Sequence, residues 1–271
     1  LVLYHFSDFY TTYFKMLPTP STSHVSFDTV YEPAEDSFLL LDTLSSTSEA
    51  AWLKDRFQTS KSSSSPLVVE VGSGSGVVIA FTAANSKHIF GRDDILALAV
   101  DVNRDACQAT RQTVKTAIAE TGNASSTHYL SSLTGDLVSP LRPGSVDILL
   151  FNPPYVPTPD LPILPQPGQN ETKPLSRSEK FEHDSYLLSL SYAGGLDGME
   201  TTNRFIEAIP SVLNPERGVA YLLLCAQNKP EEVKARIIRD WDGWSAETVG
   251  RSGMQAGWEK LVILRIYRRE T

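Results

Sequence analysis

Cysteine is scarce: Cys107 and Cys225 are the only two in 271 residues. Two are too few for a disulfide framework or for a cysteine-built zinc site within this chain. Both sit in apolar segments, as buried thiols of a reducing compartment do. No apolar run approaches the ~20 residues needed to span a bilayer. Positive charge is in deficit, with 24 Lys and Arg against 32 Asp and Glu and a formal net charge of −8. That balance argues against a broad non-specific nucleic-acid surface. There is no G-x-x-x-x-G-K-[ST], so no lysine is placed to hold a triphosphate. Internal repeats are also lacking.

What is present is an alternation of buried strands and amphipathic helices. Residues 1–29 read as a loose N-terminal arm, rich in Pro, Ser and Thr after Met16. "MLPTPSTSHVSF" looks the more natural beginning, so residues 1–15 read as an alternative start or an added remnant. "AEDSFLLLDTLSS" has helical spacing, with acidic residues in its first turn where the helix dipole favours them. A second helix is predicted over 49–58, before the "SKSSSS" tract. "PLVVEVGSGSGVVIAFTAAN" reads as strand, tight turn and helix. "ILALAVDV", "THYLS", "SVDILLF" and "VAYLLLCA" read as further strands. The helices expected between them are "RDACQATRQTVKTAIAETG", closed by Gly122, and "NRFIEAIPSVLNPERG". "PEEVKARIIRDW" follows, begun by Pro230, and strands at 245–250 and "KLVILRIY" close the sheet. Continuous apolar strands alternating with helices predict an α/β fold, a mainly parallel sheet with helices on both faces. Residues 30–271 read as one domain. Its exception is the Pro-rich 157–185, a loop without periodicity, expected to be disordered until substrate binds or to act as a lid.

The first buried strand ends in "EVGSGSG", which places Glu70, Gly72, Gly74 and Gly76 at its carboxyl end. Glycines allow a tight turn and close approach of a ligand to the backbone, and the next helix offers free N–H groups. A glycine corner without a ligand is the competing explanation. Two acidic residues at later strand ends favour a nucleoside pocket. Asp101 can accept ribose hydroxyls and Asp136 an adenine exocyclic amine; a helix cap or turn is the alternative role for each. Glu70 would repel a pyrophosphate and suits a ligand with a cationic end. S-adenosylmethionine carries an ammonium, a sulfonium and an adenosine, the groups such a pocket accommodates.

A methyl donor there gives "FNPPYV" at 151–156 a purpose. The strand ending in Asn152 is expected beside the first strand. An amide nitrogen is a poor nucleophile because its lone pair is delocalised. The Asn152 side-chain oxygen and the Pro153 carbonyl can accept its two hydrogens and aim it, which is catalysis by positioning. The prolines stiffen the corner, and Tyr155 walls the slot or stacks on a planar amide. The alternative is a cis-proline or rigid strand-end turn capped by Asn152.

"YEPAEDSFLLLDTL", "EVGSGSGVV", "VDVN", "TGDLV" and "FNPPYV" together resemble the eukaryotic and archaeal HemK-like protein N5-glutamine methyltransferases. "AGGLDGMETTNRFI" and "SGMQAGWEKLVIL" fit the eukaryotic branch. The likeness runs in order over 25–271. It implies a Rossmann-like class I S-adenosylmethionine-dependent methyltransferase with a seven-stranded, mainly parallel sheet. It implies methylation of the glutamine in the Gly-Gly-Gln loop of the class-1 translation termination factor. It also implies a heterodimer with a small zinc-binding activator subunit. No metal is expected in this chain, and a cytoplasmic location is expected, with a nuclear one left open. By position, Ser37 would contact the donor's amino-acid end. Glu70, Gly72, Asp101, Asp136 and Leu137 would line its pocket, and Asn152 would bind donor and target amide. Tyr31, Glu35 and Asp36 are left between ligand contact and helix capping with packing.

A physical motive for the partner is an expected weak sheet edge. The strand "ILALAV" lies close to that edge, and the short polar strand near "THYLS" would shield it poorly unless helix 104–121 does so. Two other targets compete. Adenine-N6 methylation of DNA uses the same amine geometry, but the charge and the lack of clustered Lys and Arg oppose it. Lysine methylation of a protein such as a histone needs a general base, and none is obvious beside Asn152. A non-catalytic donor-binding scaffold would not need the intact NPPY.

Overall fold

The computed structural model describes residues 17–59, 64–121, 126–165, 176–253 and 260–269. Two helices, α1 (Glu35–Ser45) and α2 (Thr47–Phe57), precede the first strand, β1 (Leu67–Val71). Then follow α3 (Val77–Ala84), α4 (Ser86–Phe90), β2 (Leu96–Asp101), α5 (Arg104–Glu120), β3 (His128–Thr134) and β4 (Ile148–Phe151). The remainder is α6 (Arg177–Tyr192), α7 (Glu200–Val212), β5 (Val219–Cys225), α8 (Pro230–Asp240), β6 (Trp244–Arg251) and β7 (Leu261–Arg268).

The strands form one seven-stranded sheet in the order β3-β2-β1-β4-β5-β7-β6. The pairs from β3 to β5 are parallel, and β7 is antiparallel to both β5 and β6. Alternate side chains of the central strands enter two separate cores. Val68, Ile148, Leu150, Tyr221 and Leu223 pack with α1 to α5, while Val69, Leu149, Phe151, Leu222 and Leu224 pack with α7 and α8. Fully apolar strands such as β4 and β5 follow from burial on both faces. Chain order reverses between β1 and β4, the place where α/β sheets open a crevice beyond their strand ends.

Three expectations change. The arm is not loose where it is described: Asn103 Nδ2 donates to the Thr29 carbonyl at 2.7 Å, and His24 lies 3.2 Å from the Ala109 carbonyl. Residues 177–185 are helical, not loop. Ser176 caps α6 by accepting from Glu179 N, and the Glu179 carboxylate accepts from Ser176 N, a reciprocal pair. The preceding 157–165 is tied down through Thr158 N to the Gly195 carbonyl and through the Tyr186 hydroxyl to the Ile163 carbonyl. Finally, β2 is paired along its full length by β3, so the open edge belongs to β3, where Leu130 is half exposed. Gly122, residues 1–16 and the middle of the Pro-rich segment, 166–175, lie outside the described residues.

Candidate active site

A cavity of about 340 Å³ opens beyond the carboxyl ends of β1, β2 and β4. Its volume falls in the range of ~300–1,000 Å³ usual for small-molecule sites. The structure brings every residue given a site role to this one cavity, while Glu35, left between ligand contact and capping, does not line it. Ser37 comes from α1, and Glu70, Gly72 and Gly74 from the first glycine turn. Asp101, Asp136 and Leu137 come from the next two strand ends, and Asn152, Pro153 and Tyr155 from the fourth.

The glycine turn is held from three sides. Gly72 N donates to the Val100 carbonyl and Gly76 N to the Ser73 carbonyl. Gly72, Gly74 and Gly76 all have positive φ, at 63°, 52° and 79°. A side chain at Gly76 would bring its Cβ within 2.6 Å of Thr110 Cα, so α3 and α5 could not approach. At Gly74 the same atom would meet nothing within 4 Å. Its glycine is required by backbone conformation, not by contact. From α5, Thr110 and Thr113 hydroxyls donate to the Gly74 and Ser75 carbonyls, fixing the loop's outer side.

Glu70 and Asp101 are buried carboxylates whose partners among the described residues are all N–H groups. Glu70 Oε2 accepts from Ile79 N in the first turn of α3 at 2.9 Å. Asp101 Oδ2 accepts from Gly74 N at 2.9 Å, and Oδ1 from Asn103 N at 2.8 Å. Burial raises the Glu70 carboxyl well above the usual range; the Ile79 bond opposes this and the nearby Asp101 adds to it. Burial also raises Asp101, against the bonds from Gly74 and Asn103. Among the described residues neither carboxylate has an ion-pair partner. Two buried anions without a cation are costly, and a ligand carrying positive charge would relieve both. Each oxygen has a second acceptor position, so the N–H bonds do not prevent ligand contact.

At the fourth strand end, Val71 pairs with Phe151, which sets Asn152 beside Gly72. A Cβ on Gly72 would lie 3.2 Å from the Phe151 ring and 3.9 Å from the Asn152 carbonyl. Asn152 Oδ1 is buried and accepts no hydrogen bond among the described residues. An unmatched buried acceptor costs about 1–3 kcal/mol, and such atoms are rare enough to call for an explanation. The asparagine is therefore not a satisfied cap. The described residues contain no cis peptide bond, so the cis-proline alternative for NPPY also fails.

Tyr155 is tied to the N-terminal motif. Its hydroxyl and that of Tyr31 both donate to Asp36 Oδ2, at 3.4 and 3.1 Å, while Asp36 Oδ1 accepts from Ser37 N at 2.6 Å. Asp36 thus joins YEPAEDS to NPPY, a link that neither capping nor ligand contact anticipated. Asp136 lines the cavity, and Arg204 of α7 donates to its Oδ2, a partner that the sequence did not disclose.

The segment after α6 is the part that sequence reasoning did not place at the site. Val156 N donates to the Tyr192 carbonyl, and Gly194 N to the Val156 carbonyl. A Cβ on Gly194 would sit 2.6 Å from the Pro154 carbonyl oxygen, and one on Gly198 2.0 Å from that of Tyr155. Asn228 donates weakly to the Asp197 and Gly198 carbonyls while accepting from Cys225 N. The spacing of glycines in "GGLDG" was the available signal. α6 adds Leu187 and Leu190 to the cavity wall.

No family model matches the chain. Relatives do. The mouse protein named methyltransferase HEMK2 is 35% identical over 257 residues, covering 92% of this chain and 96% of the relative. The Schizosaccharomyces pombe protein named eRF1 methyltransferase catalytic subunit mtq2 is 31% identical over 261 residues, with 93% and 96% covered. A putative protein N5-glutamine methyltransferase of Methanocaldococcus jannaschii is 29% identical over 240 residues, with 88% and 92% covered. The resemblance carried by the motifs thus extends over almost the whole length of these proteins, and the chain belongs to the HemK-like methyltransferase family.

Proposed function

We propose that this chain transfers the methyl group of S-adenosylmethionine to the side-chain amide of the glutamine in the Gly-Gly-Gln loop of a class-1 translation termination factor. The observation that carries this is one cavity lined both by Glu70 and Asp101, carboxylates without a cation among the described residues, and by Asn152, whose side-chain oxygen has no donor there. That oxygen is closed to solvent, so a turn of the side chain brings it to a target amide. A cationic donor matches Glu70 and Asp101; an amide N–H matches Asn152. The names of the relatives, eRF1 methyltransferase and protein glutamine methyltransferase, point to the same acceptor.

The donor supplies a methyl group on a positively charged sulfur. Ser37 and Glu70 hold its amino-acid end, and Gly72, Gly74 and Leu137 pass its middle along their backbone. Asp101 takes the ribose and Asp136 the base. Asn152 Oδ1 and the Pro153 carbonyl accept the two hydrogens of the target amide, leaving its nitrogen aimed at the methyl. These acceptors also favour the positive charge that grows on nitrogen as the bond forms. The methylated nitrogen is then strongly acidic and loses one proton to water, so the scheme needs no positioned base and no metal in this chain. Tyr155, held by Asp36, forms the side of the slot.

We further propose a small zinc-binding subunit as partner, added along the exposed edge of β3. Two buried free cysteines suit a cytoplasmic or nuclear setting. No described helix is long and apolar enough to cross a membrane.

The test is methyl transfer from labelled donor by the chain, co-expressed with such a partner, to termination factor, duplex DNA or histone. Label is expected in the termination factor and lost when Gly-Gly-Gln becomes Gly-Gly-Arg. Label in DNA, or label indifferent to that change, would overturn the reading. Label in a histone lysine in preference to the termination factor would do the same.

A further inference from the structure

The Asp136–Arg204 pair stands where a ligand contact was expected. Both residues line the cavity, and their side chains are 32% and 47% exposed. Ion pairs this open to water add little to folding stability, so holding the fold together is a poor account of this one. The backbone around Asp136 is fixed independently. Gly135 N donates to the Asp101 carbonyl at 2.9 Å, tying the turn to the end of β2. Leu137 has φ 50°, in the left-handed region that leucine rarely adopts, and is nine-tenths buried. The turn therefore sets where the carboxylate is, and Arg204 sets how it is rotated. With Oδ2 bonded to Arg204, Oδ1 has no partner among the described residues.

We propose that Arg204 is a specificity-determining positioning residue: by holding Asp136 Oδ2 it presents Oδ1 to the exocyclic amine of the donor's purine, so the cavity selects a 6-amino over a 6-oxo base. This rests on the donor reading of the cavity made above. An ionised carboxylate only accepts hydrogen bonds. It binds an amine hydrogen and repels a 6-oxo oxygen, which gives discrimination in both directions. A carboxylate free to rotate would trade this edge for water and lose much of the distinction.

The test is calorimetric binding of S-adenosylhomocysteine and its 6-oxo counterpart, S-inosylhomocysteine, to the full chain. Wild type should prefer the amino compound by about tenfold or more. Arg204→Ala should lose about five- to tenfold of affinity for the amino compound and less than about twofold for the oxo compound. Arg204→Lys should restore part of the preference. Asp136→Asn, whose amide can donate to a 6-oxo group, should narrow or reverse it, and it serves equally if the alanine variant does not fold. Parallel loss of both affinities in Arg204→Ala, or an unchanged preference, would overturn the role of Arg204 while leaving the donor reading intact. Wild type binding neither compound would overturn the donor reading and this inference with it.

Discussion

Buried charge is treated in opposite ways at the two ends of the sheet. Near the amino ends of β1 and β4, Asp147 is gripped by Arg217 through Nε at 2.8 Å and Nη2 at 3.0 Å, and accepts from Leu67 N as well. In mid-sheet, beneath β5 and β7 and level with Glu70 in the strand register, Glu49 meets Arg265 at 2.9 and 3.0 Å and the Tyr221 hydroxyl. Each of these carboxylates has its cation. At the carboxyl ends, among the described residues, Glu70 and Asp101 have only backbone donors, and the Asn152 side-chain oxygen has no donor. Among these buried groups the matched ones lie at the amino ends and in mid-sheet and the unmatched ones line the cavity, where the half-open Asp136–Arg204 pair is the exception.

The comparison breaks if substitutions at the two ends behave alike. Asn152→Ala should lower methyl transfer by about 10²–10³-fold with a melting temperature equal to or above that of wild type, since it deletes an unmatched buried acceptor. A stability loss without an activity loss would place Asn152 with the structural residues. Arg217→Ala should do the reverse. It strands Asp147 in the interior and should cost about 3–5 kcal/mol by denaturant titration, with methyl transfer per folded molecule retained.

Asp101→Asn should weaken donor binding by about 10- to 100-fold, measured by calorimetry. The unliganded protein should melt within a few degrees of wild type, because one oxygen survives to accept an N–H. The smallest effect is with pH. The raised Glu70 and Asp101 carboxyls bind more protons folded than unfolded. Their contribution to stability is present below the ordinary carboxylate range and is lost as pH rises through the raised values. Asp94, held below the usual range by Arg92, contributes with the opposite sign, and its share is lost as pH falls. A cationic ligand favours the ionised cavity carboxyls. Donor affinity should therefore rise a few-fold with pH through that window, with proton release seen by calorimetry in buffers of different ionisation enthalpy. Proton uptake on binding would contradict the assignment.

The legible parts of the sequence were those written locally. β-branched runs, glycine corners and strand-end carboxylates can each be read within about ten residues, and they located the sheet and all the expected cavity residues. α6 was harder. Leu187 is the one buried residue of that helix, so little apolar period stood out after the prolines. The Ser176-x-x-Glu179 box was the missed signal. α4 is five residues long and too short for periodicity to show. Asp136–Arg204 and Asp36–Tyr155 join residues 68 and 119 positions apart. Pairings of that kind are fixed by the fold and leave no mark in nearby sequence.

The three glycines of "GGLDG" show how an enzyme's tolerance to change can be governed at a distance. Gly194 and Gly198 lie against the backbone of Pro154 and Tyr155, while Gly195 (φ 71°) has the Glu200 side chain 2.6 Å from where its Cβ would be. A methyl group at position 198 would strike the Tyr155 carbonyl oxygen and push the tyrosine and the prolines before it out of line. Variation at such sites would surface as enzymes that fold, bind their donor, and turn over slowly. The chemistry is thus guarded by residues that have no side chain with which to take part in it.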